Sequence, residues 1–529
     1  MRMSGIALVL GPGADRATFH RMMAALAPRG DLAETWLRDG VLAGVQRLRI
    51  VDRARAAQPW RSADGRWLLC YNGEIFNHRE LAVELTRLGR RLRTESDTEV
   101  VLEAFLAWGP DAVRRFRGEF AFAIVDTRTG RAYLARDPLG VRPLYWSRQL
   151  RRLYVASEIK ALVPVGASIS ELPPGQHGWA EAATGPEPVR YLDPLRTGAG
   201  QPPVHDPVEA ASLLRAALRD SVRARVATDL TVGVLLSGGL DSALTLVCAR
   251  QLHHDCVAFT VGTPDSEDLR YARRLTAELG VHHEVVQVHP RDVRLDDVRE
   301  AVRLAELTEY ADVIDAVVAV PLFRRVRALG VRVVLSGDGA DELFGGISSR
   351  QVGPEAARRL ARHRIRNLHR TSLQRLDRIG FGHGVETRLP FLDPALVQLA
   401  LRLPDELTQR DGQEKWILRR AFADLLPGYV RQRPARRLAV SAGLHERILR
   451  YKPIFARHYR SLGYERFAPV RRDFDTVLVR WDHDADRAAA EDLVRQEYTL
   501  LEHARDLVTA ARWHVAPALR RLTGANRRG

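Results

Sequence analysis

The sequence predicts an α/β protein in two domains, the second built on a doubly wound parallel sheet, and three observations carry that reading. A chain of 529 residues exceeds what a single hydrophobic core sustains. Up to about Tyr191 short β-like runs alternate with glycine-containing turns, whereas from about Val208 β-runs alternate with long helical patterns. Between them, residues 193–207 turn to Pro, Gly, Thr and Asp and read as a linker, giving domains over 1–195 and 205–515.

In the first domain, residues 5–10 read as a buried strand. Met1-Arg2 ahead of them imitates a signal peptide only weakly, since the apolar part is short and no A-x-A-like site follows. Helices are expected near 17–26 and 98–108, and strands at 67–71, 120–125 and 153–156. In the second domain the runs at 232–236, 256–261 and 331–335 read as strands of the parallel sheet. Beyond about Ala395 the pattern is helical almost throughout, and residues 520–529 read as a frayed end.

Composition narrows the function. Apolar residues make up 46% and charged residues 28%, an ordinary globular balance, and no stretch reaches the length of a membrane span. Cys70, Cys248 and Cys256 lack metal-ligand spacing and fit a reduced, cytoplasmic setting. The net charge of +16 is almost all arginine, with lysine only at 160, 415 and 452, so any catalytic ammonium comes from those positions. An arginine surplus suits an acidic carrier or peptide partner, and an arginine-favouring genome produces the same excess. A nucleic-acid partner is not expected; a homodimer stays open.

The chemistry concentrates at Ser237-Gly238-Gly239-Leu240-Asp241-Ser242, directly after the apolar run Val232-Gly233-Val234-Leu235-Leu236. Glycines let a backbone approach phosphate closely, and helix-start N–H groups bind its oxygens. The spacing is not that of a kinase-type loop, and no lysine follows the second glycine. A second acidic turn, Ser336-Gly337-Asp338-Gly339-Ala340-Asp341-Glu342-Leu343-Phe344-Gly345-Gly346, follows the strand at 331–335. In a doubly wound sheet such loops converge at the carboxyl ends of neighbouring strands, so Asp241 and Asp341 are placed to hold Mg2+ against phosphate oxygens.

These two turns, with Gly382-His383-Gly384-Val385-Glu386-Thr387-Arg388-Leu389-Pro390-Phe391-Leu392-Asp393, resemble the asparagine synthetase family over nearly the whole chain. The resemblance implies an N-terminal α/β/β/α sandwich of the Ntn-hydrolase type, then an ATP-pyrophosphatase domain with a helical C-terminal part. It implies an enzyme that adenylates a carboxylate with ATP and Mg2+ and lets an amine attack the acyl-adenylate. On this likeness residues 237–242, with Ser336 and Gly337, hold the phosphates. Leu236, Thr260 and Val261 receive adenine and ribose, Asp268 lies in a nucleotide-side loop, and Asp338 is the acid of the second turn.

Three departures stand out. Asp338 sits where many asparagine synthetases carry Glu, and a β-lactam synthetase carries Tyr. Ile314 and Val317 fall where asparagine-forming members carry a Thr and an Arg. Ala435 falls at the place of the family's late catalytic Lys, so Arg436 or Arg437 is expected to stand in, with Arg437 the expected catalytic residue. Arginine clamps phosphate but does not exchange a proton.

Tyr71-Asn72-Gly73-Glu74-Ile75-Phe76-Asn77-His78, Ser96-Asp97 and Arg136-Asp137-Pro138-Leu139-Gly140 resemble class II glutamine amidotransferases. The likeness implies that Arg47 takes the carboxylate of glutamine, and Gly73, Glu74 and Asp97 its amino group. Asn72 and the Gly73 N–H form the oxyanion hole. The family's nucleophile is an N-terminal Cys; here Ser4 occupies that place, a far weaker nucleophile. The expectation is an amide synthetase using ammonia or a substrate amine on a small-molecule or peptide carboxylate, the first domain being kept for structure. Glutamine-dependent asparagine formation, ring closure in natural-product biosynthesis as in β-lactam synthetases and lasso-peptide cyclases, and a non-catalytic regulator are the alternatives.

Overall fold

The computed structural model describes residues 4–48, 57–196, 200–346 and 354–467; the reading of 520–529 as frayed falls outside them. Four antiparallel strands organise the first domain: β1 (Ser4–Leu10), β2 (Val41–Arg47), β3 (Trp67–Ile75) and β4 (Gly118–Asp126). β1 and β2 pair within a six-stranded sheet, and β3 and β4 pair within a seven-stranded one. Strand alternation explains why the sheets stack. Ile6, Leu8 and Leu10 meet Leu68 and Cys70 between the sheets, while Ala7 and Val9 turn outward onto Phe19 and Met22. Helix α1 (Arg16–Ala25) covers one outer face, and α2 (Asp97–Trp108) covers the other through Val101 and Phe105. The result is the expected α/β/β/α sandwich.

Helix α3 (Pro207–Arg225) opens the second domain, with Asp206 accepting from the Val208 N–H at 3.1 Å as its cap. Five parallel strands follow: β5 (Val232–Leu235), β6 (Cys256–Gly262), β7 (His282–Gln287), β8 (Val333–Leu335) and β9 (Glu386–Arg388), ordered β7-β6-β5-β8-β9. The chain reverses direction across β5, so its carboxyl end and that of β8 flank the switch point where ligands bind in such sheets. The helices that position the site are α4 (Leu240–Leu252), α5 (Glu267–Leu279), α6 (Tyr310–Ala328), α7 (Ala340–Phe344), α8 (Ser372–Gly382) and α9 (Trp416–Ala421).

Beyond Ala395 the helices are short and one hairpin interrupts them, pairing Gln409 with Glu414 and Arg410 with Gln413. Its turn, Asp411-Gly412, has both residues at positive φ, which Asp-Gly tolerates and which fits the twist of paired strands.

The two domains meet through buried ion pairs. Arg29 joins Glu158 at 2.6 Å and Asp377 at 2.9 Å, Arg142 joins Asp377 and Glu119, and Arg225 joins Glu119 and Asp393. Seven charges taken out of water hold only because each faces an opposite one.

Candidate active site

The first turn closes on itself. Ser237 N–H donates to Ser242 Oγ at 3.2 Å, Gly239 N–H donates to Ser237 Oγ at 3.3 Å, and Ser242 Oγ donates to the Gly239 carbonyl. Gly238 has φ +72°, and a Cβ there would lie 2.6 Å from Tyr271 Cβ on α5, so the turn admits only glycine. Gly337 of the second turn lies against the first: a Cβ would stand 2.9 Å from both the Asp241 carbonyl carbon and Ser242 N. The two turns are in backbone contact.

Together they wall a cleft of about 360 Å3. Leu236, Ser237, Gly239, Leu240, Asp241 and Ser242 line it from the first turn, and Ser336, Gly337, Asp338 and Asp341 from the second. Thr260, Val261 and Arg437 also line it, whereas Gly238 shapes the turn from behind. Thr260 Oγ1 donates to the Leu236 carbonyl at 2.6 Å, tying β6 to the loop.

Lys415, which the motif reading passed over, reaches the centre. It sits in a left-handed conformation at the start of α9, 2% exposed, and its Nζ lies 2.6 Å from Asp341 Oδ1 and bonds Asp241 Oδ2. Burial works against the Lys415 charge, yet the two carboxylates hold its pKa above the ordinary lysine value. Burial pushes Asp241 up to about 6 in spite of Lys415. Its other oxygen, Oδ1, is buried without a hydrogen-bond partner. Two converging carboxylates, one with an unspent oxygen, suit Mg2+. Among the described residues no group of three His, Cys, Asp or Glu surrounds a metal point, so its further ligands would be phosphate and water.

Arg433 carries the loop from below: Nη1 donates to the Ser237 carbonyl at 2.6 Å, and Nη2 pairs with Asp268 at 2.5 Å. Ser441 Oγ donates to the other Asp268 oxygen at 2.9 Å. Asp268 thus lines the cleft while both its oxygens support protein. Arg436 is half exposed on Glu267 and Arg437 lines the cleft, while the buried ammonium of the site is Lys415.

One expectation is corrected. Ile314 and Val317 are buried in the core, and α6 turns Ala311, Asp312, Asp315, Ala319 and Leu322 to the cleft instead. The helical period decides this: those positions share a face three or four residues apart, and 314 and 317 point away from it. Arg375 on α8 faces them, joining Asp315 at 3.2 Å and Asp338 at 2.9 Å, while Ser336 Oγ bonds the second Asp338 oxygen.

In the first domain Ser4 starts β1 opposite Arg47 in the strand register, and the Ser4 side chain is outside what is described. Arg47 Nε pairs with Glu34 at 3.1 Å. Asp97 Oδ2 accepts from Tyr71 Oη at 2.8 Å and Ile75 N at 3.1 Å, and its buried Oδ1 has no hydrogen-bond partner. Asn72 and Gly73 lie on β3 between these two partners, where a Gly73 Cβ would strike the Glu119 carbonyl at 2.4 Å. Glu74 departs from the expected set: its carboxyl is fully buried against Arg388 Nη2 at 2.6 Å, at the domain boundary. Burial pushes Glu74 well above the usual carboxylate range.

The comparisons fit this geometry. Residues 3–175 match the glutamine amidotransferase domain, and residues 213–361 and 350–515 match asparagine synthase. The chain belongs to the asparagine synthase family. Asparagine synthetase B (glutamine-hydrolysing) of Escherichia coli strain K12 is 33% identical over 440 residues, covering 78% of this chain and 77% of the relative. A probable glutamine-hydrolysing asparagine synthetase of Schizosaccharomyces pombe is 34% identical over 408 residues, 71% of each chain. Asparagine synthetase 1 (glutamine-hydrolysing) of Saccharomyces cerevisiae is 32% identical over 424 residues, 71% of this chain and 72% of that one. This asparagine synthase family member is accordingly a carbon–nitrogen ligase of the AMP-forming kind. Its cysteines are free and buried, and burial pushes Cys70 up to about 12 and Cys248 and Cys256 to about 11, so none offers a thiolate. Among the described residues no helix is long and apolar enough to cross a membrane.

Proposed function

We propose that the chain splits ATP into AMP and pyrophosphate to activate a carboxylate as its acyl-adenylate, which ammonia or a substrate amine then converts to an amide. The observation that carries this reading is the buried Lys415 ammonium joining Asp241 to Asp341 where the two glycine turns touch. Such a cation, backed by Arg433 beneath the loop, suits the charge that develops on departing pyrophosphate. Asp241 and Asp341 would hold Mg2+, which neutralises phosphate charge when bound.

Glutamine-dependent asparagine formation is the second reading. The names of the relatives favour it, as does Asp97 with its unspent buried oxygen, bonded to β3 on either side of Asn72 and Gly73. Ser4 in place of a thiol favours a nitrogen source other than glutamine, and Asp338 held by Arg375 favours a different acceptor. A cytoplasmic setting, a homodimer, an acidic carrier or peptide partner, and a place in natural-product biosynthesis belong to this proposal.

The test is pyrophosphate release from ATP·Mg over a panel of proteinogenic amino acids, with ammonium chloride or with glutamine as nitrogen source. Release with ammonium and none with glutamine supports the first reading. Glutamine-supported release on aspartate, abolished by Ser4→Ala, establishes the second. No release with any member removes both.

A further inference from the structure

Amide formation needs a neutral amine, and near pH 7 ammonia and most alkylamines carry an extra proton. Burial, with Arg364 and Arg366, lowers the one histidine lining the cleft among the described residues, His363, to about 3, too weak a base for an ammonium, so the group that takes that proton is a carboxylate with an oxygen to spare. Most of the cleft's carboxylates are committed. Lys415 pairs with Asp241 and Asp341, and the spare Asp241 oxygen is the one assigned to Mg2+. Arg433 and Ser441 take both oxygens of Asp268, and Ser336 and Arg375 take both of Asp338. Asp315 accepts from Ala439 N at 3.0 Å with one oxygen and from Arg375 at 3.2 Å with the other. Glu309 accepts from Thr308 Oγ1, and Glu342 lies one residue from the proposed metal carboxylate.

Asp312 is different. It stands in the first turn of α6, half-buried and lining the cleft, and no hydrogen bond ties its carboxylate to a described residue. We infer that Asp312 is the base that takes the proton of the attacking amine. This rests on the functional reading above, in which the nucleophile enters as an ammonium.

The step balances. The ammonium gives one proton to the Asp312 carboxylate and becomes an amine. Its lone pair attacks the acyl carbon, the C–N bond forms, and the C–O bond to AMP breaks with its electron pair leaving on the phosphate. The nitrogen's surplus proton passes to water, as does the proton on Asp312.

The charges around Asp312 suit the role. Burial raises it, Arg375 on α8 and Arg437 on the far wall lower it, and Asp315 on its own helix and Asp338 in the second turn raise it, leaving it at about 6. It is ionised at neutral pH and close enough to neutrality to release the proton again.

The experiment uses the full chain, ATP·Mg and whichever panel amino acid supports pyrophosphate release. It measures amide from ammonium chloride against hydroxamate from hydroxylamine, a nucleophile already neutral near pH 7. In the wild type, amide formation at fixed total ammonium stays level from pH 7 to 8.5 and falls below about pH 6. In Asp312→Asn the ratio of amide to hydroxamate at pH 7 drops about 100-fold, and amide formation climbs about tenfold per pH unit with free ammonia. Asp312→Glu, which keeps a carboxylate, recovers part of the ratio and the level profile. An unchanged ratio and profile in Asp312→Asn overturns the inference, as does a loss that Asp312→Glu does not relieve. Absence of pyrophosphate release from the wild type overturns instead the functional reading beneath it.

Discussion

Lys415 Nζ lies 2.6 Å from Asp341 and also bonds Asp241, so one buried ammonium fastens two turns that are distant in sequence. Lys415→Ala leaves two carboxylates facing each other. Losing one partner of a buried pair costs about 3–5 kcal/mol, and the partial exposure of Asp341 places the effect at the low end. Thermal unfolding checks this, and added Mg2+ is expected to raise the midpoint of Lys415→Ala more than that of the wild type. Equal responses would remove Asp241 and Asp341 as metal carboxylates.

The contact between Gly337 and the Asp241–Ser242 backbone leaves no space for a methyl group. Gly337→Ala is expected to spread the turns, at about 1–3 kcal/mol of overpacking, with a larger loss in ATP affinity than in overall stability. Nucleotide titration beside a denaturant curve separates the two effects.

Arg433 and Asp268 neutralise each other beneath Ser237. Arg433→Met strands a buried carboxylate and should lower stability by about 3 kcal/mol. Adding Asp268→Asn should return most of that stability while ATP binding stays weak, because the Ser237 carbonyl still lacks its donor. A double-mutant cycle reads both quantities.

Glu158 predicts a pH dependence. Burial would raise it, but Lys160, Arg29 and Arg378 prevail and bring it from 4.5 to about 2. Asp377 is likewise held well below its ordinary value, by Arg29 first and then Arg378, against burial. Both groups bind protons more readily in the unfolded chain, so their stabilisation is complete above pH 4.5 and is lost as pH falls toward 2. The stability gap between wild type and Glu158→Gln should close over that interval in urea melts.

What the chain's letters disclose depends on distance. The phosphate turn was legible because its strand, glycines and helix start are contiguous, and the parallel sheet followed from the β-runs at 232, 256 and 331. Lys415 was not, since its partner Asp241 is 174 residues away; the one available signal was the rarity of lysine in an arginine-rich chain. Linear position points to Ile314 and Val317, but a helix presents every third or fourth residue, which brings Asp312 and Asp315 to the cleft. Glu74 illustrates a third case: its motif is local, while its partner Arg388 comes from the other domain.

Arg388 also sets a limit on how this protein can be taken apart. Its side chain ends on Glu74 of the first domain, while its carbonyl accepts from Ser336 N at 3.1 Å at the root of the second turn. Cutting the chain between the domains would strip Glu74 of its ion pair and take one of two partners from Arg388, Arg225, Glu119 and Arg29, which keep Glu386, Asp393, Arg142 and Glu158. Each fragment would expose to water a face whose charges are now shared across the boundary. The glutamine-type domain thus supplies counter-ions to its neighbour, a duty independent of whether it ever cleaves an amide.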